Sequence, residues 1–123
     1  QARGLRIPLW GNRQVELWYA PRGMVIPLHS HTYCDSRIVF LGGRMTWFSA
    51  TKKALFGWRD IGKSLVALAG ELHGAHVSGR FGLFANFQNW VGKPTSAAHD
   101  FVTAPAHGGA HVGSSHGGQS RCG

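Results

Sequence analysis

The sequence predicts an all-β domain, either a sandwich or a closed barrel. Short apolar runs separated by turn residues recur through the first hundred positions, and no segment shows a sustained helical period. The 18 glycines and the aromatic share of 11%, with five tryptophans, suit twisted strands joined by tight turns. At 123 residues the chain has the size of one domain.

Turn residues divide the chain into the predicted strands. Turn signals occur at Pro21 to Gly23, at Gly42–Gly43, at Ala69–Gly70 and at Ser78–Gly79. The predicted strands are 15–19, 25–31, 37–41, 45–49, 64–67, 73–77 and 82–89, with a further N-terminal strand at 5–10.

The strand at 37–41 is apolar on both faces, whereas a strand with one wet face would alternate. We therefore expect its outer face to be covered by the N-terminal strand or by a partner subunit. A homodimer is the favoured hypothesis.

The charge balance favours small anionic partners. Thirteen Lys and Arg residues against five Asp and Glu residues give a formal charge of +8. The basic residues are scattered, with Lys52–Lys53 as the only adjacent pair, and no nucleic-acid module signature is present. A small anionic molecule is thus the expected ligand, and nucleic acid is not.

Two cysteines, Cys34 and Cys122, cannot form a disulfide framework. No apolar run has the length of a membrane helix, and no secretory signal is evident, so we expect no membrane contact and a cytoplasmic location. Residues 104–123 are rich in glycine and histidine and predict a flexible tail. His99 and the tail histidines are expected to have no dedicated metal site.

A histidine pair predicts a metal site. His29 and His31 are two positions apart on the predicted strand 25–31, so their side chains point to the same face. Imidazole is the commonest neutral metal ligand, and Asp35, just beyond a turn, can add an oxygen donor.

The chain resembles the cupin superfamily in two motifs. The first family motif is Gly, five residues, His, one residue, His, three or four residues, Glu, six residues, Gly. The second motif is Gly, five residues, Pro, one residue, Gly, two residues, His, three residues, Asn. The first is matched at Gly23, His29, His31, Asp35 and Gly42, and the second at Gly62, Gly70 and His73.

This resemblance implies a jelly-roll barrel, also called a double-stranded β-helix, over residues 1–103. It also implies that His29, His31, Asp35 and His73 hold one divalent transition metal per chain, with Fe, Mn, Ni, Zn, Co and Cu all open. Asp35 replaces the family's Glu and reaches one methylene less far, so coordination directly, through water or not at all stays open. Leu68 and Val77 replace the family's Pro and Asn, which we expect to alter a turn and a strand more than the metal site.

Four residues are candidates for substrate binding. If the strand resumes at Asp35, Arg37 shares its inward face and either pairs with an acid or clamps a substrate carboxylate. Weaker candidates are Arg44, Gln88 and Tyr33.

The leading hypothesis is a metal-dependent enzyme acting on a small anionic metabolite, as a dioxygenase, a lyase or decarboxylase, or an isomerase. The alternatives are a non-catalytic cupin that binds or senses a metal or small ligand, and a purely structural barrel.

Overall fold

The protein is built almost wholly from antiparallel strands. The computed structural model describes residues 2–92 and the backbone of residues 101–103. The predicted all-β class is confirmed. The strands are β1 (Arg3–Pro8), β2 (Arg13–Pro21), β3 (Val25–His31), β4 (Cys34–Ser49), β5 (Lys53–Phe56), β6 (Ser64–Ala67), β7 (His73–Trp90) and β8 (Phe101–Thr103), with a 3₁₀ turn at Trp58–Asp60.

Strands β4 and β7 form the centre of the fold. They pair along nearly their whole length, from Cys34 opposite Trp90 to Ser49 opposite His73. The other edge of β4 pairs first with β6 and then with β5. The other edge of β7 pairs first with β3 and then with β2. Strand β1 extends β2, and β8 extends β3, so two long strands carry the barrel and shorter strands complete it.

Glycines allow the long strands to bend without ending. Gly43 lies opposite Gly82, between two register shifts of β4. Its φ of 82° is in the left-handed region, and a Cβ there would overlap the carbonyl oxygen of Phe81. The turns predicted at Gly42–Gly43 and Ser78–Gly79 are therefore wrong, because these segments lie inside continuous strands.

The apolar core fills the inward face of the two long strands. Phe40 and Met45 of β4 are fully buried, and the Trp47 ring meets Phe84 of β7 edge to face with 5.0 Å between centroids. Burial of this apolar surface is the main force that holds the barrel together. The same inward face of β7 carries His73 at its first position, followed by Ala75 and Val77.

The predicted strands 25–31 and 64–67 coincide with β3 and β6. The pairs 37–41 with 45–49, and 73–77 with 82–89, are halves of β4 and of β7. Strands β5 and β8 were not predicted. The predicted N-terminal strand exists as β1, but it pairs with the edge of β2 rather than covering the outer face of β4.

In the part of the chain that the structure describes, no helix is long and apolar enough to cross a bilayer. His99 and residues 104–123, including the predicted tail, lie outside the described residues.

Candidate metal centre

Three histidines meet inside the barrel. His29 and His31 lie on β3, and His73 begins β7 directly opposite His29. Residues two apart on a strand share a face, as do residues paired across two strands. The register therefore brings the three imidazoles together, with one ligand nitrogen from each lying within 4.8 Å of the others.

The rings are packed against one another. The His29 centroid is 4.3 Å from that of His73 and 4.8 Å from that of His31, while the centroids of His31 and His73 are 5.3 Å apart. His29 and His31 are 0% and 1% exposed, and His73 is partly exposed. The group is thus buried on the β3 side and approaches the surface at His73.

Backbone carbonyls fix the tautomers of two rings. Nδ1 of His29 is 2.6 Å from the Pro27 carbonyl oxygen, and Nδ1 of His73 is 3.0 Å from that of Glu71. A carbonyl oxygen can only accept, so each Nδ1 carries the proton and the lone pair lies on Nε2. Metal-binding histidines are commonly oriented in this way.

Burial keeps these rings neutral. Desolvation, with the charge of His73 adding to it, lowers the pKa of His29 from 6.5 to about 3. Desolvation also lowers the pKa of His73, although hydrogen bonding to the Glu71 carbonyl oxygen and the charge of Glu71 oppose it. A neutral imidazole is the form that binds a metal, so the site needs no deprotonation at neutral pH.

The three histidines fit a divalent transition metal. Nε2 of His73 is buried and has no hydrogen-bond partner among the described residues. Nitrogen ligands stand about 2.0–2.1 Å from zinc, so the three nitrogens, now within 4.8 Å of one another, would draw closer around a single ion. Three imidazole donors without a carboxylate suit Zn, Cu, Fe and Ni, whereas Mn is typically bound through oxygen ligands.

Asp35 is not brought into this group. Its Oδ1 accepts a hydrogen bond of 2.7 Å from the backbone N–H of Ala69. In the same loop, Glu71 accepts from the N–H of Leu68 through its side chain and from His73 through its carbonyl oxygen. Asp35 thus fastens the loop that holds the His73 ring.

Solved structures with the same architecture settle the fold. KdgF from Halomonas sp. superimposes with a TM-score of 0.66 at 16% identity, over 76% of this chain and 82% of that one. A cupin superfamily protein from Desulfitobacterium hafniense gives a TM-score of 0.61 at 15% identity, over 75% and 79%.

The chain has the cupin fold.

A third cupin-like barrel, the DMSP lyase DddQ from Ruegeria pomeroyi, gives a TM-score of 0.62 at 17% identity, over 77% of this chain and 49% of that one. No family model and no curated protein matches the sequence. The similarity to solved structures therefore shows the cupin barrel alone. The chemistry of the site has to be inferred from the residues of this chain.

The cupin barrel has an open cleft beside His73, with a volume of about 700 Å³. Its walls come from the hairpin between β4 and β5, the strand β6 and the loop before β7. Polar or charged lining residues are Ser49, Thr51, Lys52, Lys53, Glu71 and His73, and Trp47 is a further lining residue. A cleft of this size suits a small organic ligand.

Arg37 is on the outer face of the cupin barrel. It is exposed, and its Nη1 donates to Ser64 Oγ at 3.1 Å, whereas Ser36 and Ile38 on either side are buried. The prediction that Arg37 faces inward is wrong, because β4 begins at Cys34 and its buried face starts there rather than at Asp35.

The other substrate-binding candidates also lie away from the described lining of the cleft. Arg44 is exposed beside the bulge of β4 and against Gly79. The ring of Tyr33 lies against Gly92. Gln88 is buried on the inward face, where it donates to Glu16 Oε1 at 3.1 Å and accepts from Gln14.

Two features of the barrel and its cleft were not predicted from the sequence. Lys52 lines the cleft only because of the unpredicted strand β5, although the adjacent lysine pair was a visible signal. Glu16 is 2% exposed, and burial raises its pKa while Trp18, Arg6 and Gln88 hydrogen-bond to it. The alternation of β2 could have placed Glu16 inward, but a carboxylate is rarely buried.

Proposed function

We propose that the protein is a metal-dependent enzyme in which His29, His31 and His73 hold one divalent transition metal and act on a small anionic metabolite. The observation that carries the proposal is the convergence of three imidazoles, of which His29 and His73 have a proton tied to a backbone carbonyl and His73 lines an open cleft. Three protein ligands leave coordination positions for substrate or water, as catalytic sites require.

A bound metal ion would supply Lewis acidity, which polarises a substrate oxygen and stabilises negative charge that develops on it. The chain's own residues provide the setting. The carbonyl oxygens of Pro27 and Glu71 hold two rings in the binding tautomer, and burial excludes water from the inner side of the site.

Dioxygenase, lyase or decarboxylase, and isomerase chemistry all suit this arrangement. A DMSP lyase has a similar barrel, which supports a catalytic role for this one. The type of reaction does not follow from the fold, because one barrel hosts many reactions. The charge of +8 supports an anionic substrate for this chain.

Metal content tests the ligand assignment. We expect purified protein incubated with Zn²⁺ and then desalted to retain about one equivalent by elemental analysis, and the His29→Ala/His31→Ala variant to retain none. His76→Ala is the matched control, because His76 is exposed and lies three residues from His73 on the same strand. A second control replaces the histidines beyond residue 104. Retention of one equivalent by the double variant would refute the site.

Turnover separates the enzyme from the alternative of a ligand-binding or sensory barrel. We expect the metal-loaded protein to convert at least one member of a panel of small carboxylates, followed by proton NMR, and His73→Ala to abolish the conversion. Saturable binding across the panel without any product would contradict catalysis and favour the binding alternative.

We also propose a homodimer. Leu5 of β1 and Leu17 of β2 are paired on the outer face, 59% and 36% exposed, and the exposed Tyr19 of β2 and Phe87 of β7 lie on the same face. An exposed apolar sheet face of this kind supports association with a second copy.

A further inference from the structure

We propose that the cleft takes a small dicarboxylate, or an organic anion of similar length with two acidic groups, and that Lys52 binds the acidic group farther from the histidines. This inference rests on the proposed function, because the other acidic group would lie at the histidine cluster.

The strand register places Lys52 on the face that carries His73. Ser49 is directly opposite His73 in the ladder between β4 and β7. On the other side of β4, the backbone N–H of Ser49 bonds to the carbonyl oxygen of Lys52 at 2.9 Å. Residues that face each other across strands point to the same side of the sheet, so His73, Ser49 and Lys52 form one row.

Lys53 belongs to the neighbouring row. It pairs with Phe48, which in turn pairs with Gly74. Because side chains alternate along a strand, this second row points to the opposite side of the sheet. Both lysines line the cleft, and Lys52 is the one whose row contains His73.

The hairpin holds the backbone of Lys52 in place. Ser49 Oγ accepts hydrogen bonds from the backbone N–H groups of Thr51 at 3.3 Å and Lys52 at 3.1 Å. A serine side chain that bonds its own turn in this way fixes the turn conformation. The ammonium group thus extends from a defined backbone position, which reduces the entropy lost when it binds a ligand.

The spacing of this row sets the length of the ligand. Neighbouring strands lie about 4.8 Å apart, so the backbones of His73 and Lys52 are separated by roughly 10 Å across β4. With one end at the imidazoles and the other at the lysine ammonium group, the ligand spans on the order of 5–8 Å once both side chains lean into the cleft. Dicarboxylates with four to six carbons have that length.

The charges and donors of the lining favour an anion. Among the described residues, no carboxylate pairs with Lys52, whereas Lys63 is paired with Asp60 at 2.9 Å. The acid of the cleft, Glu71, has Oε1 bonded to the N–H of Leu68. The indole of Trp47, 5% exposed, adds a buried Nε1–H for which no acceptor exists among the described residues.

Calorimetric titration of the zinc-loaded protein tests the proposal. The ligands are succinate, glutarate and adipate, with butyrate as the monocarboxylate comparison. We expect at least one dicarboxylate to bind more tightly than butyrate. Lys52→Gln should lower that affinity about tenfold, as for a charge-assisted hydrogen bond in a partly enclosed site, without changing the zinc stoichiometry. Lys63→Gln removes an equal charge outside the described lining of the cleft and should leave the dicarboxylate affinity unchanged.

Trp47→Phe keeps an aromatic side chain but removes the N–H together with the five-membered ring of the indole, and we expect a smaller loss of the same affinity with the zinc stoichiometry unchanged. Equal binding by wild type and Lys52→Gln, or no preference of the wild type for any dicarboxylate over butyrate, overturns the proposal. If the wild-type protein does not bind zinc at all, that result refutes the metal site instead. The zinc stoichiometry therefore distinguishes the two failures.

Discussion

The neutral state of His29 makes the metal-free fold sensitive to acid. The pKa of the ring is about 3 in the folded protein and near 6.5 in the unfolded chain, so below pH 6.5 the unfolded state binds the extra proton. The free energy of unfolding therefore decreases as the pH falls from 6.5 toward 3. The lowered pKa of His73 acts in the same direction.

We predict a decrease from His29 that begins near pH 6.5 and approaches about 1.4 kcal/mol per pH unit midway between the two pKa values, measured by urea unfolding in the presence of a chelator. The raised pKa of Glu16 acts with the opposite sign above pH 4.5, so the quantity to compare is the difference in slope between wild type and His29→Ala. Equal slopes in the two proteins would show that His29 is not held neutral by burial.

Asp35 provides the second test at this scale. Since its Oδ1 accepts the Ala69 N–H, we predict that Asp35→Ala loses about 1–2 kcal/mol of stability but keeps zinc affinity within a few-fold of wild type. A zinc titration with a competing chelator measures the affinity. A loss of about tenfold or more would instead make the carboxylate a ligand, as the motif spacing allows.

The pair His29 and His31, and the partner His73, could be predicted from sequence because strand periodicity and motif spacing both fix them. The neighbourhood of Asp35 could not, because a shift of one residue in where β4 begins reverses which side chains point inward. The same one-residue shift is why Arg37 was wrongly predicted to face inward. A single sequence does not specify the strand phase after a tight turn as sharply as it specifies the strand itself.

At the scale of elements, the bend of the β4–β7 pair depends on close backbone approach at Gly43. We predict that Gly43→Ala costs about 3 kcal/mol or more, because it combines a positive φ with overlap against the Phe81 carbonyl group. Gly62→Ala is the matched control, with a φ of 94° but open space around it, and should cost only about 1 kcal/mol. Chemical denaturation measures both, and equal costs would show that the bulge tolerates a side chain.

This bulge also explains why the long strands were predicted as pairs of short ones. Glycine pairs are common both in turns and in strand bulges, and only the partner strand decides between them. Gly43 opposite Gly82 is such a case, since each glycine gives room to the other strand. Strand β5 escaped prediction because Lys53–Phe56 has four residues and little alternation.

At the scale of the whole molecule, the exposed row on β1 and β2 leads to a prediction about assembly. We expect sedimentation at micromolar concentration to give twice the mass of one chain, and Leu17→Arg to give one chain mass with an intact fold by circular dichroism. His76→Ala serves as a surface control. A single-chain mass for the wild type would remove the homodimer.

The barrel as a whole was predictable because its two motifs and its recurring short apolar runs agree on one architecture. Its cleft was not, because the walls come from the hairpin of β4 and β5, from β6 and from the loop before β7, which are far apart in sequence. Only the paired register brings Lys52 into line with His73.

The central claim is that three imidazoles from two strands bind one ion. X-ray absorption spectroscopy at the zinc edge measures this most directly on protein loaded with one equivalent, with the tail histidines replaced to remove competing sites. We predict three imidazole nitrogens at about 2.0–2.1 Å in the zinc coordination sphere. A spectrum with one imidazole or none, or one unchanged in the His29→Ala/His31→Ala variant, would contradict it.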